Sequence, residues 1–146
     1  MLGLLTPAAA PADTGACSPA KVKYNASLFA NSPTTSTSFV NIPDASISFT
    51  QGGTKASCVV VRFSAESHVQ GADSVVVRAY LDKTTSAIPA EIIYSSGDGF
   101  NTNAHAFEYI FPDVAPGHHV VNMQYKSLNG TSVNIYYRTT VVQFAP

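Results

Sequence analysis

From Lys21 to Phe144 the chain is a train of short segments in which apolar and polar residues alternate, and no stretch carries helical periodicity. Alternation of period two suits a half-buried antiparallel strand, because successive side chains point to opposite faces. Strands are expected at 20–29, 37–42, 45–50, 57–66, 74–82, 88–94, 104–112, 118–127 and 131–144. Turn-forming residues separate them: Ile42-Pro43-Asp44, Gln51-Gly52-Gly53, Gln70-Gly71-Ala72-Asp73, Ser96-Gly97-Asp98-Gly99 and Ala115-Pro116-Gly117. A series of about eight or nine strands at this spacing predicts an all-β, two-sheet antiparallel β-sandwich. At 146 residues the chain is one domain with room for a real core. Residues 20–146 are read as that sandwich and 1–19 as a leader or flexible segment.

The densest alternation runs from Ala104 to Phe144 and reads as three strands joined by two hairpins. Directly opposed residues of an antiparallel pair share a face, so a one-residue slip exchanges core and solvent. Matching the apolar sets puts Phe111 opposite His119, Tyr109 opposite Val121 and Phe107 opposite Met123. It also puts Met123 opposite Ile135 and Val121 opposite Tyr137, with Gly130 at the left-handed position of a Leu128-Asn129-Gly130 loop. The core expected from these periods is Val22, Tyr24, Leu28, Ile47, Phe49, Val59, Val61, Phe63, Val75, Val77, Leu81, Phe107, Phe111, Val121, Met123, Val133, Ile135 and Val141.

Charged residues make up only 12 %, about half the usual share, and hydroxyl residues supply much of the polar surface, as at Ser32-Pro33-Thr34-Thr35-Ser36-Thr37-Ser38. The eight basic residues are scattered and the net charge is −1, which argues against nucleic-acid binding. Met1-Leu2-Gly3-Leu4-Leu5 followed by Thr6-Pro7-Ala8-Ala9-Ala10-Pro11-Ala12 resembles the tail of a secretory signal, with no charged region before it. No stretch of the chain approaches the roughly 18 apolar residues of a membrane-spanning helix, so the body is expected to be soluble. Of the two cysteines, Cys17 precedes the first strand and Cys58 opens an apolar one. A structural disulfide between them would add roughly 4 kcal/mol in the chain-entropy view. A thiol site, and a lipidated Cys17 after Thr14-Gly15-Ala16, stay open beside it.

Motifs that carry chemistry are sparse. His118 and His119 are adjacent on a strand and point to opposite faces, so they cannot easily chelate one ion. His105 lies about 20 Å along the expected hairpin from His119, too far for a shared metal. No metal or other cofactor is expected, and His119 reads as a semi-buried strand-end residue beside Phe111. The G-x-S-x-G elbow of a hydrolase is absent. Asp44, Asp73, Asp82, Asp98 and Asp113 sit at or near turns, where the residue type caps local backbone donors. The segment Ser96 to Asn103 has oxygen ligands but no calcium-loop spacing. Asn25-Ala26-Ser27 and Asn129-Gly130-Thr131 are glycosylation sequons only in a eukaryotic secretory pathway.

The positions that alternate with the core are more telling: Val60, Arg62, Val76, Arg78, Tyr80, Val120, Tyr136, Arg138 and Val142. Arg and Tyr mixed with Val is the composition of an interface centre, since both bury area and keep polar handles. Arg62, Arg78, Tyr80, Tyr136 and Arg138 are therefore the interface candidates. Cover by loops within the monomer would account for the same composition.

Three segments carry a resemblance: Ser57-Cys58-Val59-Val60-Val61-Arg62-Phe63-Ser64-Ala65-Glu66, Val77-Arg78-Ala79-Tyr80-Leu81-Asp82, and Ala115-Pro116-Gly117-His118-His119-Val120-Val121-Asn122-Met123-Gln124-Tyr125-Lys126-Ser127, with a closing Arg138-Thr139-Thr140-Val141-Val142. Over about residues 37–144 the chain resembles a small secreted bacterial β domain. In layout it is similar to the jelly-roll heads of tumour necrosis factor-like and complement-type proteins and to some phage fibre tips. That resemblance implies a jelly-roll sandwich, a trimeric assembly, and binding of proteins or glycans through loops and outer faces. The expectation is a secreted, non-catalytic domain acting by self-association or by binding an extracellular protein or glycan. A carbohydrate-binding module would need a row of exposed aromatics, drawn from Tyr80, Tyr94, Tyr136 and Tyr137, and a hydrolase is a third reading.

Overall fold

The computed structural model describes residues 17–27, 31–97 and 102–146. Leu28, residues 1–16 with the signal-like and Thr14-Gly15-Ala16 segments, and the centre of the Ser96–Asn103 loop lie outside them. Among the described residues there are ten strands: β1 (Lys21–Ser27), β2 (Ser32–Thr34), β3 (Val40–Gln51), β4 (Ser57–Val69), β5 (Asp73–Leu81), β6 (Thr85–Ser86), β7 (Ile92–Gly97), β8 (Asn103–Val114), β9 (Gly117–Ser127) and β10 (Val133–Phe144). The expected turn at Ile42-Pro43-Asp44 is instead an irregularity inside β3, where the register shifts between Asn41 and Ser46 and Asp44 takes a φ of 53°.

The strands form two antiparallel sheets. The first runs β1-β10-β4-β8, with β2 continuing the β1 edge along β10. The second runs β3-β9-β5, and both β6 and β7 pair with the far edge of β5. The chain changes sheet at six of the nine connections between these strands, and the first strand pairs with the last, Lys21 opposite Phe144 through Ser27 opposite Arg138. This is the connectivity of a jelly roll.

It also corrects the two closing hairpins. β8 pairs with β4, setting Phe111 against Val59 and Tyr109 against Val61. β9 lies in the other sheet, with Val121 between Ile47 and Leu81, while β10 returns to the first sheet beside β4. The apolar sets of β8, β9 and β10 do meet, but across the sandwich rather than edge to edge. An alternating pattern is satisfied equally by a same-sheet neighbour and by a facing sheet about 10 Å away. A buried carboxylate decides between them at Leu128–Ser132. Asp73, on β5, accepts the Asn129 and Thr131 N–H groups (2.9 and 3.0 Å) and holds the loop across the end of the sandwich. Gly130 has the expected left-handed φ, 88°, within that crossover.

The inner faces form one core. Phe63, Tyr109, Phe111, Ile42, Met123 and Ile135 are its largest fully buried side chains. Ile47, Phe49, Val59, Val61, Val75, Val77, Leu81, Val121 and Val133 are buried as their periods require. Tyrosines enter where their hydroxyls find carbonyls: Tyr109 donates to Val77 O (3.2 Å) and Tyr125 to Ser32 O (3.2 Å).

Four expected core positions differ. Val22 and Tyr24 are 61 % and 71 % exposed, because β1 is an edge strand that turns its polar side inward. Lys23 Nζ donates to Ser48 O (2.7 Å) and Asn25 Nδ2 to Asp44 O (2.9 Å). Long amines can line such an edge while their heads stay near water. Phe107 lies opposite Phe63 and edge-on to Tyr109, but β8 is also an edge strand, and its ring stays 38 % exposed. Val141 is only half-buried, because a register shift between Ile135 and Arg138 exchanges the faces of β10 and turns Val142 inward instead.

Cys17 and Cys58 form a disulfide with Cα atoms 5.5 Å apart, tying the residues before β1 to β4. Both sulfurs are thereby engaged, which leaves neither a free-thiol site nor a lipidated Cys17.

Candidate functional site

The outer face of the first sheet follows from its register. Across β1, β10, β4 and β8, successive rows read Val22-Gln143-Val60-Ile110, Tyr24-Val141-Arg62-Glu108, and Ala26-Thr139-Ser64-Ala106. Tyr137, Glu66 and Ala104 continue it on β10, β4 and β8. Val22, Tyr24, Ile110 and Tyr137 are all substantially exposed, and Ile88 extends the patch by a two-bond bridge to Ile110. Between β4 and β8, Arg62 Nε and Nη2 both donate to Glu108 Oε1 at 2.9 and 2.5 Å. Both side chains remain more than half exposed. The surface mixes exposed apolar side chains with Gln143, Thr139, Ser64 and Glu66, and its ion pair lies on the β4–β8 side.

The interface candidates do not share this face. Arg62 alone lies on it. Arg78 and Tyr80 are on the outer side of the second sheet, stacked with each other at 4.4 Å. The Phe39 ring lies under Arg78 (4.0 Å) and Lys126 (4.4 Å), so residues before β3 cover part of that side. Val76, expected outside, is buried there. Tyr136 is half-buried within the β10 irregularity. Arg138 is a correction: the same irregularity turns it inward, to 3 % exposure, where Nε donates to Pro43 O (2.7 Å) and Nη2 lies 3.9 Å from Asp44. Burial lowers its pKa, with Asp44 and Tyr125 opposing. It is a structural guanidinium, not an exposed handle.

The aromatic row imagined for sugar binding is not assembled. Tyr94 is buried, its hydroxyl accepting the Ala65 N–H (2.8 Å) and donating to His105 O (2.5 Å), and burial raises its pKa. Tyr80 and Tyr137 lie on different sheets.

One charged constellation escaped the sequence. His119, with its side chain 14 % exposed, bonds through Nδ1 to Asp82 Oδ2 (2.6 Å) and through Nε2 to Ala115 O (2.8 Å). Asp82 Oδ1 accepts the Val120 N–H (2.8 Å). Burial pushes the Asp82 carboxyl up, but the bonds from His119 and Val120 and the charges of His119 and His118 outweigh it, leaving the pKa lowered. Each ring nitrogen of His119 is thus engaged within the protein, one by the Asp82 carboxylate and one by the Ala115 carbonyl. The arrangement clasps the Ala115 crossover to the β5 end. Its signal, an Asp and a His 37 residues apart, is legible only once β5 and β9 are known to be neighbours.

Among the described residues no three His, Cys, Asp or Glu side chains converge on a point that could hold a metal ion. His105 and His119 sit in different sheets. No helix is long and apolar enough to cross a membrane among the described residues. No protein-family model matches the chain, and no curated protein matches it in sequence.

Proposed function

We propose that this chain is an extracellular, non-catalytic jelly-roll domain that works by self-association, with the outer face of its first sheet as the contact. The observation that carries the reading is the set of exposed apolar side chains on this one face, Val22 and Tyr24 on β1, Tyr137 on β10 and Ile110 on β8, with the Arg62–Glu108 ion pair among them. Large apolar side chains exposed together on one face, with polar residues among them, mark an interaction site. A second copy suits it because Arg62 and Glu108 stand side by side. A two-fold contact sets Arg62 of one copy against Glu108 of the other, so the charge pattern complements itself. The Cys17–Cys58 disulfide supports an oxidising compartment, as does the signal-like Met1–Ala12 segment.

The resemblance to tumour necrosis factor-like and complement-type heads implies three copies, whereas the charge pair favours two. Sedimentation equilibrium over a concentration series separates them. The wild-type domain is expected to associate, and Tyr24→Asp with Ile110→Asp is expected to be monomeric with an unchanged circular dichroism spectrum. Arg62→Glu weakens association, and adding Glu108→Arg restores it. A wild-type domain that stays monomeric at its highest soluble concentration overturns the proposal.

A further inference from the structure

Where β1 and β3 part at the edge of the sandwich, a groove of about 420 Å³ opens, within the size range of small-ligand clefts. Its walls carry Lys21, Lys23, His118 and Thr50, and beneath it lie the buried Phe49 and Phe144, whose rings meet at 5.1 Å. Among the described residues no carboxylate lines it. In a chain of net charge −1 with only eight basic residues, two ammonium groups beside one cleft make a local positive site. Lys23 is already held in place by its bond to Ser48 O (2.7 Å), which uses one of three ammonium donors and leaves two for a ligand. The site follows directly from the reversed phase of β1, since it is the polar side of that strand that faces the cleft.

We infer that this groove binds an acidic sugar unit through its carboxylate. The ammonium groups of Lys21 and Lys23 meet the negative charge, and the Thr50 hydroxyl reaches sugar hydroxyls. The residues lie on the opposite side of β1 from Val22 and Tyr24, so binding here and self-association fail or succeed independently.

Nuclear magnetic resonance titration of the intact domain tests it, with glucuronate, glucose and inorganic sulfate as separate probes. Glucuronate is expected to shift the amides of Thr50 and His118 saturably, with glucose at least tenfold weaker. Lys21→Gln with Lys23→Gln is expected to weaken glucuronate binding at least tenfold. Lys126→Gln, at the far end of β9 from His118, serves as the control and leaves it unchanged. The unperturbed remainder of each variant's spectrum establishes that it is folded. Sulfate binding as tightly as glucuronate overturns the sugar assignment. Absence of any shift near the groove, or binding that survives the double substitution, overturns the site.

Discussion

Replacing Asp73 with Asn tests how the β9–β10 crossover is held. The carboxylate is 3 % exposed and accepts five hydrogen bonds. Oδ1 takes the N–H groups of Ser74 (2.6 Å) and Asn129 (2.9 Å). Oδ2 takes the hydroxyls of Ser127 and Thr131 (both 2.6 Å) and the Thr131 N–H (3.0 Å). An amide supplies one acceptor oxygen, and its NH₂ must face one of these clusters. The hydroxyls can rotate to accept, but a backbone N–H cannot, so at least one donor is stranded at about 1–3 kcal/mol. Loss of charge assistance in the remaining bonds brings the total to about 3 kcal/mol. For a chain of this size that lowers the melting temperature by roughly 6–12 °C.

The pH dependence sharpens the test. Burial pushes the Asp73 carboxyl up, yet the Ser127 and Thr131 hydroxyls and the Ser74 and Asn129 N–H groups hold it far below its ordinary 3.8. As pH falls, the unfolded chain takes up this proton first, so the contribution is complete above about pH 4 and drains away below it. Urea unfolding of the wild type and Asp73→Asn should therefore differ by about 3 kcal/mol near neutrality and converge in acid. A difference under about 0.5 kcal/mol near neutrality, or a gap that does not narrow in acid, refutes the reasoning.

Reducing the Cys17–Cys58 bond, whose partners are 41 residues apart, should lower the unfolding free energy by about 4 kcal/mol. The urea midpoint with and without reductant measures it, and Cys58→Ser should then be insensitive to reductant. Tyr94→Phe should cost about 1–3 kcal/mol and speed hydrogen exchange at the Ala65 amide, which loses its hydroxyl acceptor. Unchanged exchange there would mean that the amide finds another partner.

The all-β class was legible because alternation runs through most of the long strands, and so was most of the core, from Ile47 to Ile135. Pairing partners were not. In Phe107-Tyr109-Phe111 and Val121-Met123-Tyr125, periodicity states which face is buried but not which neighbour buries it. A short connection such as Ala115-Pro116 can close a hairpin or cross between sheets. The phase of β10 failed for a local reason, since one irregularity between Ile135 and Arg138 reverses every later residue. It carried Arg138 inside and Val141 out. The edge strand β1 was read with its faces exchanged, because Val22 and Tyr24 look like core until Lys23 and Asn25 are seen reaching β3. Both the apolar outer face and the basic groove were hidden by that exchange.

The place of β10 between β1 and β4 has a consequence for biosynthesis. Residues 21–27 have no partner strand until residues 138–144 exist, and the neighbouring edge of β4 waits for the same segment. A nascent chain therefore carries two open strand edges through nearly all of its synthesis, and the first sheet closes by insertion rather than by growth from one end. The gap fits a β10 from any copy. At high local concentration the same wedge that completes one domain can complete its neighbour, and exchange of this strand is the route by which the fold would misassemble.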